Sequence, residues 1–442
     1  MPTLIKNATV VNDGNVFEAD IRISGQRIEQ ISGGIEARPN DKIIDANGCH
    51  LIPGMIDDQV HFREPGLTHK GSIATESRAA VAGGITSYME MPNVTPSTTT
   101  IEALEQKFAL AAQKSAANYS FYLGATEDNL EQIQRLDRKR HCGVKVFMGA
   151  STGDLLVEHP QALDAIFRDS PALIVTHCEN GAIIEQNKQR LLQKHRILTI
   201  DDHPLLRDEE ACFASSSYAV GLAQKHQAQL HVLHITTAKE LELFEPGSIQ
   251  HKSITAEACV HHLWFHQQDY TRLGNLIKCN PAIKYQRDRD AIMQALHTGQ
   301  IDIIATDHAP HTWEEKQVAY DQAPAGLPLV QHALLSLFDH VKSGRMSLTQ
   351  VVEKTSHNPA IRYHIQERGF IREGYFADLV LVDMKAPSLV RHDNCLYHCG
   401  WSPFAGHEFS SQIKNTWVNG NLVFANQHVS HNPPSAMRLE FV

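Results

Sequence analysis

The sequence predicts an α/β protein: a (β/α)8 barrel of the TIM type, with a small β-sandwich formed by both termini. Two observations carry this. Through the middle of the chain short apolar runs alternate with stretches of helical periodicity, the pattern of βα units and a parallel sheet. At both ends β-rich runs follow one another through tight turns, with no helical stretch between them.

Taken in order, Leu4 to Val11 stops at Asn12-Asp13-Gly14, Asp20 to Ile23 stops at Ser24-Gly25, and Arg27 to Ile31 stops at Ser32-Gly33-Gly34. These read as antiparallel strands. The barrel strands are expected at Met55 to His61, Ile85 to Met91, Tyr119 to Gly124, Val144 to Met148, Ala172 to His177, Gln229 to His234, Ser253 to Ala256 and Ile301 to Thr306. Helical periodicity falls between them, as at Ile101 to Ala117, Cys212 to His226 and Asp288 to His297. Near the C-terminus Phe376 to Asp383 and Asn415 to Val418 are β-rich, and an Asn419-Gly420 hairpin turn leads into Asn421 to Phe424. Neither end has strands enough for a sheet pair of its own, so residues 1–52 and 371–442 are expected to combine into the sandwich around a barrel of residues 53–370. A doubly wound open sheet is the competing fold, but no Gly-x-Gly-x-x-Gly or Walker-type loop follows any strand.

Composition narrows the function. The 442 residues are 42% hydrophobic and 20% charged, an ordinary globular balance. A net charge of −10 argues against nucleic acid or an anionic membrane as the main partner. No apolar run reaches the ~18 residues of a membrane helix and the start lacks a signal-peptide pattern, so a cytoplasmic protein is expected. The 8 cysteines are scattered and suggest no disulfide framework. Cys395 and Cys399, although close to His392, His398 and His407, lack the second pair of a zinc knuckle. Histidine is the unusual count: 27 residues against 16 phenylalanines, which directs attention to metal and acid–base chemistry.

In a barrel of this type the active site lies at the C-terminal ends of the strands. Strand one runs out through Gln59-Val60-His61-Phe62-Arg63, strand four contains Lys145, strand five ends in His177, strand six in His234, and strand eight runs into Asp307-His308. A single histidine at a strand end is usually structural, but several converging with an aspartate on one rim favour a metal site. Imidazole and carboxylate ligands suit zinc, and a catalytic zinc keeps a position open for water. Alternation places Gln59, His61 and Arg63 on one side of their strand. Lys145 fits such a set only if it points away, pairs with a carboxylate at the barrel mouth, or becomes a carbamate.

The segments Asp57-Asp58-Gln59-Val60-His61-Phe62-Arg63-Glu64-Pro65-Gly66, Met91-Pro92-Asn93, Gly143 to Met148, Ala305-Thr306-Asp307-His308-Ala309-Pro310-His311 and Trp401 to Gly406 together resemble the dihydroorotases of the cyclic amidohydrolase superfamily. The resemblance implies one or two zinc ions, with His61 and Asp307 on the more buried one, His177 and His234 on the more exposed one, and carboxylated Lys145 bridging them. It further implies that Arg63, Asn93 and His311 hold the substrate carboxylate, that Asn280 is another substrate contact, and that the backbone of Ala325 and Gly326 meets the substrate ring. Asp307 would be the catalytic base and then acid in the reversible cyclisation of N-carbamoyl-L-aspartate to (S)-dihydroorotate. The family's first strand reads His-x-His, whereas this chain has Gln59 at the first position, so the buried metal would lose an imidazole. The alternatives are a hydantoinase, dihydropyrimidinase or allantoinase, which share the bridging lysine, and a catalytically inactive subunit associated with a transcarbamoylase. A homo-oligomer is the family expectation. The stretch His195 to Asp208, containing Asp201-Asp202-His203-Pro204, reads either as a surface loop or as a cover for the site.

Overall fold

A computed structural model describes residues 2–149, 155–194, 197–430 and 436–442. The barrel strands are Met55–Val60, Ile85–Glu90, Asn118–Phe121 continued by Leu123–Gly124, Val144–Met148, Ile174–Cys178, Leu230–Val232, Ile254–Cys259 and Ile303–Ala305. Neighbouring strands pair in parallel. A parallel bridge from Val60 to His308 joins the first strand to the chain beyond the eighth and closes the ring. Asp57 reinforces this seam, accepting from the Thr306 amide at 3.1 Å and the Thr306 hydroxyl at 2.6 Å. Almost every strand residue is buried, as expected of a parallel sheet with helices outside and packed side chains within.

The helices between strands start where short polar side chains cap them. Ser72 caps Ile73–Ala82, Thr100 caps Ile101–Lys114 and Asp208 caps Glu209–His226. Strands from the two ends of the chain share one nine-stranded sheet. His50–Pro53 is its junction, parallel to Thr3–Asn12 on one side and antiparallel to Leu379–Asp383 on the other. Its core combines Ile5, Val10, Ile21 and Leu51 from the first part of the chain with Leu379, Leu381 and Trp417 from the last. The Asn419-Gly420 turn takes φ values of 48° and 75°, the left-handed pair that a two-residue hairpin requires.

Three strands differ from expectation by an internal break or by two or more residues at the C-terminal end. The third strand breaks at Tyr122, whose hydroxyl turns inward to Asp58 O at 2.9 Å. The sixth ends at Val232, because the His234 amide leaves the ladder and donates to Glu257 Oε1 at 3.1 Å. The seventh continues beyond Ala256 to Cys259, carrying Glu257 and Cys259 into the interior.

Candidate active site

The rim residues meet as two pairs. His61 Nε2 lies 3.1 Å from Asp307 Oδ1, and His177 Nδ1 lies 3.0 Å from His234 Nε2. Lys145 is 1% exposed and close enough to both pairs for its charge to act on all four residues. Among the described residues it makes no salt bridge, and its Nζ lies 4.7 Å from the centre of the Phe147 ring. Burial lowers its pKa to about 8, which enlarges the neutral amine fraction near pH 7.

Hydrogen bonds behind His61 and His177 fix their tautomers. His61 Nδ1 faces Asn93 Oδ1 at 2.7 Å, and His177 Nε2 faces Glu179 Oε2 at 3.0 Å. Both partners only accept, so these nitrogens carry the protons and the lone pairs point into the site. Burial holds both rings below the usual histidine pKa. In the neutral ring His61 Nε2 therefore presents a lone pair to a carboxylate oxygen, two acceptors facing each other. Such a contact calls for a cation, and ligand atoms sharing a tetrahedral zinc stand about 3.3 Å apart, close to the spacing in both pairs. The donor set thus fits a divalent zinc-class ion.

Gln59 reaches the same place, donating from Nε2 to Asp307 Oδ1 at 3.1 Å. Burial alone would raise the pKa of Asp307, but the closeness of His61, His261 and Lys145 holds the carboxyl below its usual range. Asp307, His234 and Arg63 all adopt positive φ, at 49°, 40° and 70°. Non-glycine residues rarely do so, and such strain concentrates at functional sites.

Alternation explains Gln59 and His61 but not Arg63, which follows the strand and is aimed by its own left-handed turn. Its Nε donates to Pro310 O at 3.1 Å, and Nη2 lies 3.1 Å from His311 Nε2. Burial lowers the Arg63 pKa only to about 10, so the guanidinium remains charged. His311 also lies 3.0 Å from Ala325 O, and its backbone carbonyl accepts from Trp401 Nε1 at 2.8 Å. That bond ties the Trp401 to Gly406 stretch to the site. Gly326 has φ 142°, and a Cβ there would stand 2.4 Å from Ala309 O, so the loop requires glycine. Lys316 holds the loop from behind, donating to Pro324 O at 2.8 Å and Gly326 O at 3.0 Å. Among the described residues Asn280 Oδ1 is buried without a hydrogen-bond partner.

His195 and Arg196 of the expected cover lie outside the described residues. In the remainder of that stretch His203 and Pro204 are buried while Ile197 and Leu205 are exposed; His203 lies 2.8 Å from both Tyr320 Oη and Cys279 O, and Arg207 forms an ion pair with Glu179. Glu179 is not among the site residues expected from the sequence. Its signal was the alternation that carries it, two residues beyond His177, to the same side of the chain.

The chain matches the amidohydrolase family over residues 50–423. It is 33% identical to a dihydroorotase of Halobacterium salinarum over 401 residues, covering 90% of this chain and 91% of that protein. An allantoinase of Salmonella choleraesuis is 28% identical, covering 98% of this chain and 97% of the relative. Among solved structures, the L-hydantoinase (dihydropyrimidinase) of Arthrobacter aurescens superimposes with a TM-score of 0.91 at 25% identity, covering 97% of each chain. The chain belongs to the amidohydrolase family and, with these relatives, to the cyclic amidohydrolase superfamily of hydrolases. Among the described residues no helix is long and apolar enough to cross a membrane.

Proposed function

We propose that this protein is a zinc-dependent dihydroorotase, interconverting N-carbamoyl-L-aspartate and (S)-dihydroorotate. The observation that carries the reading is Arg63, a buried cation 3.1 Å from His311 beside the Asp307 carboxylate. A guanidinium fork matches a carboxylate, which dihydroorotate bears and a simple hydantoin or dihydrouracil lacks.

The metal ligands in this reading are His61, Lys145, His177, His234 and Asp307, with Lys145 carboxylated. Bound there, zinc supplies Lewis acidity and a nucleophilic water at neutral pH. Asp307, oriented by Gln59 and His61, accepts the proton of the attacking water and returns it to the leaving ring nitrogen. Arg63 binds the substrate carboxylate, with Asn93 and His311 beside it. Asn280 Oδ1 accepts from a ring N–H, and the loop at Ala325 and Gly326 meets the ring. His203 and Arg207 help to exclude water. A cytoplasmic homo-oligomer, alone or with a transcarbamoylase, belongs to the same reading.

The test is turnover of N-carbamoyl-L-aspartate, hydantoin, dihydrouracil and allantoin by purified protein, with and without added zinc. Zinc-dependent preference for carbamoyl aspartate is expected. Preference for an uncharged ring would instead assign a hydantoinase or allantoinase activity, a reading favoured by the relatives of similar identity. No turnover of any of them would assign an inactive partner subunit.

A further inference from the structure

The seventh barrel strand ends in a thiol and two imidazoles that the site above does not use. Cys259 closes Ile254–Cys259, and His261 and His262 lie in the helical turn Val260–Trp264 that follows. Cys259 and His261 are 0% exposed and His262 is 4% exposed. One donor atom from each lies within 4.8 Å of the other two. Among the described residues neither ring nitrogen of His261 nor His262 Nδ1 makes a hydrogen bond of good geometry, although the Thr306 backbone lies beside the His261 ring.

Buried polar atoms are normally paired, so one unpaired nitrogen from each of two rings, beside one thiol, points to a ligand. The His262 ring indicates which kind. Its Nε2 lies 3.1 Å from Pro281 O, and a carbonyl only accepts, so the proton is on Nε2 and the lone pair on Nδ1. A backbone acceptor behind an imidazole is the usual arrangement around a metal-ligating histidine. Burial holds both rings well on the neutral side, the form that binds metal.

Among the described residues the other buried cluster of this kind, Asp58, His231 and Glu257, already contains a cation of its own. There the His231 ring lies 3.3 Å from Asp58 and 3.7 Å from Glu257, an imidazolium between carboxylates.

We propose that Cys259, His261 and His262 hold a zinc-class divalent cation of their own, as one thiolate and two neutral imidazoles, apart from the His61–Asp307 and His177–His234 pairs. One sulfur and two nitrogens suit zinc. Around tetrahedral zinc such atoms are separated by about 3.3–3.6 Å, so closing the triad requires side-chain shifts on the order of 1 Å at most. Binding replaces the S–H bond by a sulfur–metal bond and releases one proton. The nearest base is Glu257, whose Oε1 accepts from Cys259 Sγ at 3.3 Å.

The test is cobalt(II) substitution of the full-length protein after chelation. The barrel-mouth donors include no sulfur, so a thiolate-to-cobalt charge-transfer band in the near ultraviolet reports this triad alone. The expected results are that band in the wild type, its loss together with one equivalent of cobalt in Cys259→Ser, and its persistence in His177→Ala and Cys279→Ser. Cys279 is the necessary control because its Sγ lies 3.7 Å from His262 Nε2. No band in the cobalt-loaded wild type, or a band that survives Cys259→Ser, overturns the proposal. Should Cys259→Ser fail to fold, His262→Ala must lose the same equivalent of cobalt, and unchanged stoichiometry overturns it equally.

Discussion

Gln59 Nε2 and His61 Nε2 each stand 3.1 Å from the same oxygen, Asp307 Oδ1. The glutamine therefore faces the carboxylate with its amide donor, while its Oε1 lies 3.8 Å from the thiol of Cys259. With its amide donor committed to Asp307, Gln59 orients that carboxylate in the proposed active site. Gln59→His should then strengthen metal retention by adding an imidazole where the amide stands. Zinc per chain after exhaustive dialysis should rise in the variant; an unchanged or lower value would show that position 59 does not face the ion.

Arg63 tests the substrate reading. A hydrogen bond to a charged group contributes about 1.5–3 kcal/mol, so Arg63→Ala should lower kcat/KM for carbamoyl aspartate by roughly 10–150-fold. Zinc content should stay at the wild-type level. If metal and activity disappear together, Arg63 supports the fold or the ion rather than the substrate.

Glu179 acts through His177. Its carboxylate fixes the ring tautomer and carries the charge that Arg207 balances. Burial alone would raise its pKa, but Arg207 and His177 hold it well below the usual carboxylate range. Removing such a partner typically costs about 10–100-fold in metal affinity. Glu179→Gln is therefore expected to weaken zinc about tenfold or more in competition with a chromophoric chelator, and wild-type affinity in the variant would remove Glu179 from this role.

Beneath the site, the charged His231 carries a pH signature. Burial lowers its pKa, but Asp58 and Glu257 outweigh this and push it up to about 9. A folded-state pKa above the unfolded value of about 6.5 gives stability that is complete below pH 6.5 and lost as the pH rises through about 9. The destabilisation caused by Asp58→Asn, read from denaturant midpoints, should accordingly be largest near pH 6 and shrink towards pH 10. A penalty that is constant across that range would show that His231 is neutral in the native protein.

Much of the fold was legible because its signals are local. Alternating apolar runs and helical stretches marked the βα units, and Asn419-Gly420 marked a hairpin through its backbone preference alone. The rim residues at 61, 145, 177 and 307 were legible for the same reason, since a strand end is a local event and the barrel turns every strand end towards one face. Cys259 escaped because the seventh strand runs three residues beyond its last strongly apolar run, held by pairing with Ile303–Ala305. Arg63 was identified as a rim residue, but its direction depends on a left-handed turn that alternation does not describe.

The sequence by itself determined which elements form and which chemical groups arrive at the barrel mouth, because propensity, periodicity and strand ends are properties of neighbouring residues. Only the tertiary structure decided what those groups do to one another. That Gln59 donates to Asp307, that Asn93 and Glu179 aim the two histidine lone pairs, and that Arg207 balances Glu179 all depend on distances of a few ångströms between residues far apart in the chain. Electrostatic and hydrogen-bond energies vary steeply at that range, and closure of the barrel is what sets those distances.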